Sequence, residues 1–173
     1  GVWAYHWRLE SSEGQPTVET LAIRRLYVYL VSLGTLAMLA ASGGRIVHTI
    51  LREGYESLVT LPVLVPTQAG LWQDAMKTSV ALLLVGGVGW WAHWRYFASR
   101  ELRSVLRQVY LYAFALLGGF VTALVSVGVI LFGVLVWLMG VPDDAAASAH
   151  FRFLPGALAS LSVGTGLWLY HWM

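Results

Sequence analysis

The sequence predicts an all-α polytopic membrane protein with four transmembrane helices, built as two tandem two-helix units. Three observations carry this. Of 173 residues, 58% are hydrophobic and 12% charged, whereas globular chains run at roughly 45–50% apolar and about 25% charged, and mean hydropathy is +0.66. The few charges are confined to short segments, which leaves apolar stretches long enough to cross about 30 Å of hydrocarbon at about 1.5 Å per residue. A Trp-x-x-His-Trp motif also recurs along the chain. Such a composition excludes disorder and collagen. A formal net charge of +2 excludes a basic nucleic-acid-binding domain, because excess Arg in a membrane protein reports topology. With no cysteine present, disulfides, Cys-based zinc sites, iron–sulfur clusters and thiol catalysis are excluded as well.

The first predicted span runs from Leu26 to Val47, preceded by Arg24-Arg25 and running on through Gly43-Gly44 into Arg45 and Arg52, which puts both ends at headgroup level. The second, Ser79 to Trp94, gains length from Met76, Thr78 and a Lys77 that can snorkel. The third, Val109 to Met139, lies in a stretch without charge from Gln108 to Gly140. That is longer than a perpendicular helix needs, so it is expected to tilt or break near Gly118-Gly119, Gly128 or Gly133. The fourth, Phe153 to Trp172, is expected to begin at Pro155-Gly156, since proline suits a first helical turn. Between spans, 9–20 reads as a surface linker, and Gly54 to Asp74, with Pro62 and Pro66, as an interfacial or protein-covered loop. Val141 to Arg152 reads as a polar connection and Arg95 to Arg107 as a basic bridge. Seven of eleven basic residues (Arg8, Arg24, Arg25, Arg95, Arg100, Arg103 and Arg107) fall on one side of this layout. The positive-inside rule then predicts a bacterial inner-membrane protein with both termini cytoplasmic.

The motif recurs at Trp3, His6, Trp7, at Trp90, His93, Trp94 and at Trp168, His171, Trp172. Leu83, Val85, Gly86 and Trp90 match Leu161, Val163, Gly164 and Trp168 at an offset of 78 residues. Arg24, Tyr27 and Tyr29 match Arg107, Tyr110 and Tyr112 at an offset of 83. Each unit is therefore a basic linker, a Tyr-x-Tyr helix, an outer connection and a helix ending in the motif. Units of two spans keep one orientation and are related by an axis along the membrane normal. Residues 21–98 and 99–173 form the two units. Residues 1–8 read as the end of a preceding helix, so the chain is expected to be part of a longer repeat protein.

These motifs resemble a family of uncharacterised bacterial integral membrane proteins, a domain of unknown function with paired helices ending in His-Trp-Arg-like motifs followed by Arg-rich, Tyr-containing helix starts. The resemblance spans Trp3 to Trp172 and implies no catalytic residue. Met173 departs from it, standing where the other copies have Arg.

Trp, Tyr and Arg belong at headgroup depth. Trp3, Trp7, Trp90, Trp94, Trp168 and Trp172 are accordingly expected to anchor the helices in an aromatic belt, with Arg95, Arg100, Arg103 and Arg107 meeting anionic lipid headgroups. The competing reading is a tetrapyrrole, haem or a chlorophyll-type pigment, with His93 and His171, and less securely His6, as axial ligands. No other cofactor is expected. His48 and His150, with the nearby carboxylates, show no metal-ligand spacing and read as solvated loop groups. Spans without a central charge give little support to a transporter or channel, and no hydrolase, nucleotide or glycosidase motif is present. Small residues at four-residue spacing (Ala115, Gly119, Ala123, and Gly156, Ser160, Gly164) mark helix faces that touch other helices. The expected role is thus a non-catalytic structural or accessory subunit that packs with other membrane proteins or with itself, with lipids as partners and no nucleic acid.

Overall fold

A computed structural model describes residues 18–59, 69–96, 105–140 and 146–173. The first Trp-x-x-His-Trp motif (Trp3, His6, Trp7), Arg100, Arg103 and the Asp143-Asp144 pair lie outside these residues. Among the described residues every element is helical: α1 (Val18–Val59), α2 (Ala69–Tyr96), α3 (Val105–Leu138) and α4 (Ala147–Trp172). All four are long and apolar enough to cross a membrane.

The helices overrun the predicted spans where no residue stops them. No proline falls between Pro16 and Pro62, and α1 continues through Arg45 and Arg52 for 42 residues. At about 1.5 Å per residue that is about 63 Å, twice a hydrocarbon core. Its charged end is solvated, and Arg52 pairs with Glu56 at 2.7 Å across one turn. α3 is interrupted, but ahead of the glycines expected to break it: Val109–Leu116 is π-helical, and Leu117–Leu138 continues as α-helix. Its end is set by Gly140, whose φ of +86° is a left-handed conformation that favours glycine. α4 starts earlier than Pro155, with a turn at Ala147–His150 and a 3₁₀ segment at Phe151–Phe153.

α1 packs chiefly on α2 and next on α4, and α3 packs chiefly on α4. Close contacts fix the directions. Gly89 meets Thr35 and Leu83 meets Gly43 between α1 and α2. Val163 meets Gly44 and Ser148 meets Tyr55 between α4 and α1. Gly119 meets Trp168 and Gly133 meets Phe153 between α3 and α4. As one number rises the other falls, so each pair is antiparallel, and α1 runs parallel to α3. One end of the bundle therefore holds Arg24, Arg25, Arg95, Arg107, His93 and His171. Leu, Val and Phe side chains are exposed along the outer faces of all four helices.

Candidate functional site

The basic end carries the densest polar and aromatic chemistry among the described residues. It is built from Tyr29 of α1, Trp90 and Trp94 of α2, Tyr110 of α3, and Tyr170 and His171 of α4. Trp90 and Trp94 lie four apart, so both present to one side of α2. That side faces inward: the Trp90 indole Nε1 donates a 2.9 Å hydrogen bond to the Tyr110 hydroxyl. Trp94 stacks on the Tyr110 ring at 4.8 Å and 28°. Tyr110 is only 2% exposed, and its position one residue into the π-helical stretch brings it under both indoles. Tyr29 tilts against it from α1 at 6.3 Å.

His171 sits edge-on to this group, 5.9 Å from Trp94, 5.9 Å from Tyr110 and 6.2 Å from Trp90. Its Nδ1 is 2.9 Å from the Leu167 carbonyl. A carbonyl only accepts, so Nδ1 donates, and the neutral ring keeps its lone pair on Nε2. Nε2 is buried and has no hydrogen-bond partner among the described residues, and the same holds for Nε of Arg107. His93 repeats the arrangement on α2, with Nδ1 2.8 Å from the Gly89 carbonyl.

The same contacts recur between the two helix pairs. A methyl group on Gly86 would lie 2.8 Å from the Leu39 nitrogen, 3.0 Å from the Thr35 oxygen and 3.1 Å from the Met38 Cβ. On Gly164 it would lie 2.7 Å from the Ala123 nitrogen, 2.8 Å from the Gly119 oxygen and 3.1 Å from the Thr122 Cβ. Tyr27 meets His93 at 6.2 Å and 67°, and Tyr110 meets His171 at 5.9 Å and 63°. Ser42 donates to the Met38 carbonyl at 2.6 Å and Ser126 to the Thr122 carbonyl at 2.7 Å.

Of the residues expected to pack, Gly119, Ala123 and Gly164 lie in the α3–α4 contact, Ala115 is fully buried, and a Cβ on Gly156 would lie 4.0 Å from the His48 ring. Ser160 is exposed, and Ala159 is buried in its place. A helix turns 100° per residue, so a strict four-residue stripe drifts off the contact face. Trp168 tilts on Phe120 at 6.0 Å, and Trp172 is largely exposed.

His150 corrects its sequence reading. It is held between α3 and α4 rather than solvated: its Nε2 donates to the Gly133 carbonyl at 2.9 Å, and Trp137, Phe151 and Phe153 surround the ring. The aromatic run Phe151-Arg152-Phe153 beside it was the available signal. Among the described residues no cluster of three or more His, Asp or Glu could hold a metal ion.

The family model of a domain of unknown function, DUF5671, matches residues 56–154. These cover α2, the basic bridge and α3. No curated protein and no solved structure matches the chain.

Proposed function

We propose that this chain, which belongs to the DUF5671 family, is a non-catalytic integral membrane subunit that packs with other membrane proteins or with copies of itself. The observation that carries this reading is the duplicated glycine contact of Gly86 on α1 and Gly164 on α3. In lipid, helices associate through close backbone approach, and both helix pairs spend their glycines on that approach. The span hydroxyls of Thr35, Ser42, Thr122 and Ser126 are satisfied within their own helices, donating to backbone carbonyls.

The matched contacts support two tandem units. Contacts at the start of the π-helical stretch and beyond its end refine the correspondence. Tyr27 and Tyr110 are 83 residues apart, whereas Thr35, Met38 and Leu39 correspond to Gly119, Thr122 and Ala123 at 84. One extra residue in α3, absorbed by the π-helix at Val109–Leu116, accounts for the change. The Arg-rich end is assigned to the cytoplasm of a bacterial inner membrane, where Trp91 and Trp172, exposed among the described residues, suit headgroup depth.

The test is extraction of native membranes with alkaline carbonate, followed by mild-detergent purification with mass analysis. Retention in the membrane and a stoichiometric assembly are expected. Release by alkali would overturn membrane integration, and a solitary chain in mild detergent would overturn the subunit role.

A tetrapyrrole is the second reading, favoured by one feature. His93 and His171 both donate Nδ1–H to a carbonyl, which orients an axial imidazole and leaves Nε2 as the ligating atom. Against it, Trp90, Trp94 and Tyr110 occupy the space about His171. A Soret or chlorin band from natively purified protein, lost in His93→Ala or His171→Ala, would establish this reading, and a featureless spectrum would end it.

A further inference from the structure

We infer that a second copy of this chain docks against α3, its α2 taking the place on α3 that α4 takes on α1 within one chain. The inference rests on the two-unit reading proposed above. It follows from an interface that the chain makes once and leaves half-made twice.

Within the chain, α4 of the second unit covers a face of α1 of the first. Val163 Cγ2 comes within 3.4 Å of where a Cβ on Gly44 would stand, Leu36 is buried, and Ala159 is buried on the opposing helix. The counterparts of Leu36, Ala40, Gly44 and His48, 84 residues on, are Phe120, Leu124, Gly128 and Phe132 of α3. All four are exposed, and nothing lies within 4 Å of a Cβ on Gly128. The counterparts of Ala159 and Val163, 78 residues back, are Ala81 and Val85 of α2. These too are exposed, Val85 to 61%. One chain thus displays both halves of an interface whose other example is closed.

The basic end, read through the same repeat, gives a second sign. Trp94 of the first unit stacks on Tyr110 of the second. Their counterparts, Trp172 of the second unit and Tyr27 of the first, are 70% and 58% exposed; Trp7, the counterpart of Trp94 ahead of the first unit, lies outside the described residues. In a head-to-tail arrangement Trp172 of one copy reaches Tyr27 of the next, in the same sense that Gly128 of one copy reaches Val85 of the next. Both pairs demand the same neighbour, so the contact is heterologous, and it forms a ring where the rotation between copies closes. The Phe120–Phe132 stripe is then a subunit contact rather than a lipid face.

The chain has no cysteine, so engineered pairs report without background. Two differently tagged full-length copies, V85C and G128C, are co-expressed and their membranes oxidised with copper phenanthroline. The mixed-tag disulfide is expected, at several-fold the yield of either variant expressed alone. G44C/V163C in one chain reports on the intrachain template. If that pair closes while V85C and G128C do not join, docking of a second copy is overturned and the two-unit reading stands. If neither forms, both fall together. Uncrosslinked protein in nanodiscs adds a readout free of mutation: a mass of two or more chains supports the inference, and a single chain overturns it. Gly128→Trp is expected to return the assembly to single chains, whereas Gly166→Trp, also with open space around it and about 120° around α4 from Trp172, leaves it intact. Loss of assembly in both variants alike would remove the claim that this face is the contact.

Discussion

At the scale of single residues, two kinds of position decide how the helices meet. Gly86 and Gly164 stand where a side chain would strike backbone nitrogen of the neighbouring helix at 2.8 and 2.7 Å. Gly164→Ala is therefore expected to push α3 and α4 apart at a cost of about 1–3 kcal/mol. Gly166→Ala, with open space around it, is expected to leave the thermal midpoint in detergent unchanged or raised. Ser32 is a position of the opposite kind. It is fully buried, and its hydroxyl has no partner among the described residues; its counterpart 83 residues on is the equally buried Ala115. A buried hydroxyl without a partner costs about 1–3 kcal/mol, so Ser32→Ala is expected to stabilise the bundle, by about 1 kcal/mol. A melting curve that falls would show that the hydroxyl serves a contact of its own. The Trp90–Tyr110 hydrogen bond is testable by a double-mutant cycle of Trp90→Phe and Tyr110→Phe, with a coupling of about 1 kcal/mol expected.

At the scale of elements, the π-helical stretch of α3 separates two parts of the helix that face different neighbours. At its start, Tyr110 turns under Trp90 and Trp94; after it, Gly119 turns to Gly164. One residue more or less rotates these faces by about 100° relative to each other. Deletion of Ala113, exposed within that stretch, is expected to restore continuous α-helix. It would cost either the Tyr110 contacts or the Gly119 contact, and tryptophan emission would shift as the indoles lose their packing. Unchanged emission and stability would show that the stretch is tolerated and does not set the register. This feature was not legible in the sequence. A π-helix has no composition of its own, and Val109–Leu116 reads as uniformly apolar helix, so the tilt or break expected from the length of the span falls on the glycines downstream. The end of α3 was better marked, because Gly140 is the residue a left-handed terminus favours. The long α1 was under-read, because apolarity measures the part that fits hydrocarbon and says nothing of a helix that continues into water with Arg52 and Glu56 paired along it.

At the scale of the whole molecule, the antiparallel contacts gather Arg24, Arg25, Arg95 and Arg107 at one end of the bundle, opposite Arg45, Arg52 and Arg152. With that end cytoplasmic, a membrane-impermeant maleimide added to intact cells is expected to label Glu53→Cys and to leave Met173→Cys unlabelled until the cells are opened. The reverse pattern would invert the proposed topology. The family match over residues 56–154 spans α2 and α3 and stops within α4, so the basic bridge lies inside the matched segment.

The amino-acid sequence alone determined that the chain is helical, that four segments can span a membrane, and that charge gathers at their ends, because these follow from local composition and from the length a bilayer requires. It also exposed Trp-x-x-His-Trp and Arg-x-x-Tyr-x-Tyr as recurring segments. Only the tertiary structure decided what those segments touch. Trp90 and Trp94 turn inward onto Tyr110, and His150 closes on the Gly133 carbonyl. Ala159 rather than Ser160 meets the neighbouring helix, and the duplicated glycines lie backbone to backbone. The reason is physical: sequence spacing specifies which residues share a helix face, but the rotation of each helix about its axis is set by all its neighbours at once.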